Sequence, residues 1–142
     1  MTKSEKAVEL FNKGYSCSQA VFSVFAEENG MDEKTAFRVS GAFGGGMART
    51  ASICGVVTGA MMAIGLKHGM AIPSEKESKE KTYAITKTFF EEFKKLHGSL
   101  VCKDLLGADI STPEGLAAAK PLHAEICTKL VEDAVKIVEK LI

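Results

Sequence analysis

Sixteen consecutive residues, Ala51 to Leu66, carry no charge, and within them Gly55, Gly59 and Ala63 recur at every fourth position. That spacing matches the helix repeat, so one face has almost no side chain and a neighbouring helix can approach its backbone closely. Each interior glycine costs about 0.5–1 kcal/mol relative to alanine, which close packing or a nearby ligand must offset. A membrane span needs about 20 strongly apolar residues. This run is shorter and interrupted by glycine and polar residues, so it predicts a helix buried in a soluble core. Thr50 or Ser52 is expected to cap it, with Cys54 in its first turn and His68-Gly69 at its end.

The flanking sequence is punctuated as further helices. From Thr2 to Asn12, Ala7, Val8, Leu10 and Phe11 share a face, and Gly14 is a stop. Ser16 with Gln19 three residues on has the form of a capping box, placing Cys17 in the first turn of a helix that continues through Val24 and Phe25 to Asn29-Gly30. Asp32 opens a third helix that exposes Glu33 and Lys34, buries Ala36, Phe37 and Val39, and breaks at Gly44-Gly45-Gly46, expected as a loop. Pro73-Ser74 followed by Glu77 starts a long helix with Tyr83, Ile85, Phe89, Phe90 and Phe93 inward and Gly98 as its stop. Ser99 restarts a short helix through Leu106, with Cys102 in its first turn. Thr112-Pro113 opens a brief turn, and Pro121 fits the N1 position of a last helix that carries Cys127 and turns Leu122, Ile126, Leu130, Ala134, Ile137 and Leu141 inward. No alternating strand pattern competes. The expectation is all-α: one domain over residues 1–142, a helical bundle of about five to seven helices.

With 46% hydrophobic and 25% charged residues, the composition excludes disorder. Eighteen basic against eighteen acidic side chains give no net charge, which argues against nucleic acid as the main partner, because a duplex binder needs surplus Lys and Arg. The N-terminus lacks the apolar core and cleavage site of a secretory signal, so a cytoplasmic location without membrane association is expected. Thiols are kept reduced there, so the four cysteines are not a permanent disulfide framework.

Cys17, Cys54, Cys102 and Cys127 contain no Cys-x-x-Cys pair, which excludes zinc-ribbon and ferredoxin loops as sequence motifs. Three of them follow a serine within three residues: Ser16, Ser52 and Ser99. First-turn thiols feel the positive end of the helix dipole and unpaired amides, both of which favour thiolate. The plainer alternative is that each cysteine is a small buried hydrophobe. If the four converge, they suit an iron–sulfur cluster, zinc, or paired thiol/disulfide chemistry.

Other features are weaker. Gly44-Gly45-Gly46 with Arg49 could form an anion-holding amide nest, but the run lacks the Lys-Ser or Lys-Thr of a P-loop, and a covering loop for the cysteine site is the better expectation. His123 and Cys127 are four apart on one helical face, compatible with a shared metal, although a solvated or capping histidine is the plainer expectation. His68 and His97 suit charge placement at helix ends. Met47, Met61, Met62 and Met70 are expected to fill core space rather than bind soft metals. The charged stretches Glu75 to Lys81 and Glu91 to Lys95 are expected to be solvated helix faces. No Ser-His-Asp order or paired-carboxylate motif is readable.

Gly14-Tyr15-Ser16-Cys17-Ser18-Gln19-Ala20-Val21, Gly44-Gly45-Gly46-Met47, Cys54-Gly55-Val56-Val57-Thr58-Gly59-Ala60 and the later Cys102 and Cys127 resemble the small redox-active proteins of the C-GCAxxG-C-C family over nearly the whole chain. Val56 stands where the family motif usually has Ala. The resemblance implies a redox role, with Cys17, Cys54, Cys102 and Cys127 as the shared cysteines, Gly55 and Gly59 as the motif glycines beside them, and iron–sulfur binding as in relatives fused to other redox modules. It assigns no reaction, so enzyme status stays open. The leading expectation is a small redox protein whose four cysteines bind an iron–sulfur cluster and pass electrons to a partner protein. A metal-free thiol/disulfide enzyme or sensor, with Cys17 or Cys54 attacking a disulfide or peroxide, is the first alternative. The second is a zinc-stabilised or metal-free interaction module whose glycine-lined helix forms a homodimer or partner interface.

Overall fold

Thr2, Ser16, Asp32 and Thr112 each present a side-chain oxygen to the backbone N–H three residues on, and each opens a helix. The computed structural model describes all of residues 1–142. It contains seven right-handed α-helices: α1 (Lys3–Asn12), α2 (Cys17–Ala26), α3 (Glu33–Ser40), α4 (Gly55–His68), α5 (Lys76–His97), α6 (Cys102–Leu106) and α7 (Pro113–Leu141). The only extended pairing is an isolated antiparallel bridge between Ile53 and Val101. The all-α expectation is met, and no helix is long and apolar enough to cross a membrane.

Helices α2 and α4 form the centre. Eight of the ten residues of α2 are buried, and Gly55 to Ala60 of α4 are buried without a break. A Cβ on Gly59 would lie 2.9 Å from the Ser18 carbonyl oxygen and 3.1 Å from the Val21 Cβ, and one on Gly55 would lie 3.0 Å from the Ser18 nitrogen. The small-residue face of α4 is thus taken up by α2 of the same chain, so it is not free to form the homodimer or partner interface expected of it. Around this pair, α1, α5 and α7 contribute Ala7, Phe89, Phe93, Val131, Val135 and Val138, all fully buried.

Several boundaries differ from expectation. Neither Thr50 nor Ser52 caps α4; Cys54 itself is the residue preceding the first turn. Ser74 does not cap α5, because the Glu75 carboxylate instead receives the Ala71 and Ile72 amides and the helix starts after it. Thr112 caps the last helix early, so Pro121 lies inside α7 instead of starting it. Pro121 removes one backbone donor on an exposed stretch, where water can serve the carbonyl left behind. The first half of α7 runs past the core, which leaves Leu122 exposed. Tyr83 is exposed as well, because six residues at about 100° each turn it roughly 240° away from buried Phe89. Val39 is exposed because α3 buries only Ala36 and Ser40. Of the methionines near α4, Met47, Met61 and Met70 are exposed and only Met62 packs on the core.

Gly44-Gly45-Gly46 is not an irregular loop. Gly45, Gly46, Met47, Ala48 and Arg49 all have positive φ, between 58° and 69°, forming one left-handed turn, and Ala51 follows with φ 58°. Side chains other than glycine cost about 1–2 kcal/mol each in this conformation. The turn is held by the Thr50 hydroxyl donating to the Gly46 and Met47 carbonyls at 2.8 and 2.7 Å, and by the Ser52 N–H donating to the Gly46 carbonyl at 2.8 Å.

Candidate functional site

Each cysteine is placed by a different device. Cys17 is the first residue of α2, fixed by the reciprocal cap in which Ser16 Oγ accepts the Gln19 N–H and Gln19 Oε1 accepts the Ser16 N–H at 3.0 Å. Cys54 and Cys102 are fixed on either side of the Ile53–Val101 bridge: the Cys54 N–H donates to the Leu100 carbonyl opposite it at 2.9 Å and the Cys102 N–H to the Ser52 carbonyl at 2.7 Å. Cys102 then begins α6. Cys127 comes from the middle of α7, where the exposed first half of that helix meets the core.

All four converge. They line one cavity of about 20 Å³, closed on one side by Gly45 and Gly46 of the left-handed turn. A Cβ on Gly46 would lie 2.6 Å from the Cys102 Cβ, so only glycine lets the turn sit on the chamber. Gly55 also lines the chamber, whereas Gly59, one turn further, faces Ser18 and Val21. The thiols are free, and their residues are all buried, at 3–7% exposed.

The electrostatics reverse part of the sequence expectation. The Cys17 thiol is held well above its ordinary range, first by the Cys127 thiol beside it and then by burial. Burial, with Cys17 nearby, also pushes Cys54 up. Cys102 is pushed up to about 11 by burial, to which Cys17 and Asp109 add. Backbone amides do favour thiolate, those of Cys17 and Gly45 at Cys17 and those of Val56 and Val57 at Cys54. Desolvation of the charged form outweighs them.

The donor set suits a soft metal in kind, since four thiols are the ligands of zinc and iron–sulfur centres. It does not suit one in arrangement. The cavity has room for about one water-sized atom, enough for a single ion but not for a cluster, and no three His, Cys, Asp or Glu side chains are grouped to hold a common metal ion. In this conformation the chamber is a closed thiol cluster, not a preformed metal cage.

His123 lines the chamber together with a larger open groove, and its ring lies 5.5 Å from that of Phe11. His97 is elsewhere, its Nε2 2.9 Å from Asp133 Oδ2 in a link between α5 and α7. His68 ends α4, its pKa lowered by burial and then by Lys81 and Lys67. Arg49 lines the groove with Gly44 and Gly45. Lys120 and Ile110 are groove residues that sequence reading did not single out. Lys120 could have been found, because it is seven residues, two helical turns, before Cys127.

A family model described as "Putative redox-active protein (C_GCAxxG_C_C)" matches residues 15–141. No curated protein and no solved structure matches the chain.

Proposed function

Because the chain belongs to the C-GCAxxG-C-C family of redox-active proteins, we propose that the four-thiol chamber is its redox centre, cycling between dithiol and disulfide through Cys17 and Cys127. The observation that carries this is the convergence of four free cysteines from four separate segments on one small cavity. Cys17 and Cys127 form the pair because their thiols lie side by side in the chamber. Closing the pair forms one S–S bond and gives two protons and two electrons to an acceptor, a disulfide or peroxide. A protonated, buried dithiol reacts slowly with stray oxidants, so the centre answers to a reagent that reaches Cys17.

An iron–sulfur cluster is the second proposal. The amides of Gly45, Val56 and Val57 directed at Cys17 and Cys54 favour it, because N–H to sulfur bonds stabilise thiolates and tune cluster potential. Cys17, Cys54, Cys102 and Cys127 would be its ligands, and the chamber would have to widen to hold it. The cluster would supply one-electron exchange with a partner protein. Zinc on the same thiols would supply folding energy in its place.

One preparation separates these proposals: protein purified without oxygen and without metal-affinity resin, assayed for iron, sulfide, zinc, visible absorption and free thiols before and after mild oxidation. The dithiol centre predicts reversible loss of two thiols, a Cys17–Cys127 disulfide by peptide mapping, and persistence of that behaviour in Cys54→Ser. Stoichiometric iron and sulfide that Cys54→Ser abolishes, without reversible thiol loss, would sink the dithiol cycle in favour of the cluster.

A further inference from the structure

An open groove of about 670 Å³ adjoins the thiol chamber, and Cys17, Gly45, Ile110 and His123 line both. Its volume falls within the range of about 300–1,000 Å³ typical of small-molecule sites. Arg49, Lys120 and His123 stand on its walls, and no Asp or Glu does. The chain as a whole is electrically balanced, so the groove concentrates one sign of charge. Arg49 and Lys120 are left without a counter-charge, since every ion pair of the protein lies elsewhere. Apolar and aromatic surface lines the same groove: Phe11, Tyr15 and Leu116. Tyr15 is fixed by stacking on Phe37 at 4.1 Å. At the shared boundary lies Cys17, the one cysteine of the four that lines the groove.

From this juxtaposition we propose that the groove binds a small anionic disulfide, of peptide-thiol size, and presents its S–S bond to Cys17. This rests on the dithiol function proposed above and names its reaction partner. The Cys17 sulfur attacks one sulfur of the bound disulfide; the S–S bond breaks, a Cys17 mixed disulfide forms, and the departing sulfur takes the Cys17 proton and leaves as a thiol. The Cys127 sulfur then attacks Cys17, forming the Cys17–Cys127 bond and releasing the second thiol. One small disulfide is reduced to two thiols while one protein dithiol is oxidised. The anionic groups serve binding, through Arg49 and Lys120 with the His123 ring beside them, and the positive groove raises the encounter rate.

Two measurements on the full-length reduced protein test this. The first is titration with S-methylglutathione, which cannot exchange, followed by NMR shifts. The expected result is saturable binding that weakens about five- to tenfold in Arg49→Ala/Lys120→Ala, the loss of two partly screened charge contacts. The second is the rate of thiol oxidation by glutathione disulfide, by coenzyme A disulfide, by neutral hydroxyethyl disulfide and by cationic cystamine. The anionic reagents should react faster, and only their rates should fall in the double variant and with added salt. A lead of glutathione disulfide over coenzyme A disulfide assigns the charge to carboxylates, and the reverse to phosphates. Both Arg49 and Lys120 are exposed, so the variant leaves the core untouched. Absence of binding, or equal rates for anionic and cationic disulfides, overturns the groove proposal even if the thiols exchange. Charge-dependent binding with thiols inert to every disulfide upholds the anion site and overturns the dithiol cycle.

Discussion

A buried thiol surrounded by other thiols holds its proton, because the charged form is poorly solvated and a second charge alongside would repel it. The raised pKa of Cys102, about 11 against an ordinary 9.0, therefore has a stability consequence. A group whose pKa is higher in the folded state contributes stability that is complete below its unfolded value and is lost as pH rises through the folded one. The folded protein should accordingly weaken between about pH 9 and 11, and Cys102→Ser should flatten that decline. Urea unfolding of both proteins across this window checks it; parallel curves would contradict the buried-thiol account. Gly46 acts at the same scale. With φ +66° and a Cβ position 2.6 Å from the Cys102 Cβ, Gly46→Ala should destabilise by about 2–4 kcal/mol through left-handed strain and overpacking, measured by thermal or urea denaturation. The cysteines themselves were legible as residues, and their placement at or before helix starts was inferred within a residue or two for Cys17, Cys54 and Cys102. Their protonation was not, because the helix-start amides are a local signal whereas burial depends on all that surrounds the thiol.

Helices with side-chain caps were readable because cap and helix are neighbours in sequence: Ser16 with Gln19 is reproduced atom for atom. The small-residue stripe of α4 was also readable as a close-packing face. Which partner it meets was not, since nothing local marks Ser18 and Val21 as its counterpart. Gly59→Ala should destabilise by about 1–3 kcal/mol, because the new methyl meets a backbone carbonyl that cannot move aside, while secondary structure by circular dichroism should persist. The left-handed turn reads as a loop in the sequence because Met47, Ala48 and Arg49 do not advertise positive φ as glycine does. Replacing exposed Ala48 by glycine should relieve strain and stabilise the protein by about 0.5–1 kcal/mol, the steric relief less the added chain entropy. A loss of stability would show that the turn carries no strain. Strain of this kind persists only where surrounding structure enforces it, and here the Thr50 and Ser52 hydrogen bonds do so at the chamber wall.

At the scale of the whole molecule, the chamber is closed by segments far apart in the chain: α2, the left-handed turn, the Ile53–Val101 bridge, α6 and the middle of α7. Access to its deeper thiols needs these segments to separate. Native-state alkylation should therefore modify Cys17, the one cysteine on the open groove, before Cys54 and Cys127, which should react only at the rate of local or global opening. Timed iodoacetamide labelling with peptide mapping gives the order. Simultaneous labelling of all four would mean that the chamber opens as one unit.

Sequence by itself determined the helical class, most helix starts, a central helix buried along its glycine face, and the four thiols as the chemistry-bearing groups. These rest on spacing and capping, which act over a few residues. Only the tertiary structure decided that the thiols share one cavity, that α2 fills the glycine face of α4, and that a cationic groove adjoins Cys17. Each of these joins residues tens of positions apart. Their proximity comes from how the helix faces pack together, a property that no local run of side chains encodes.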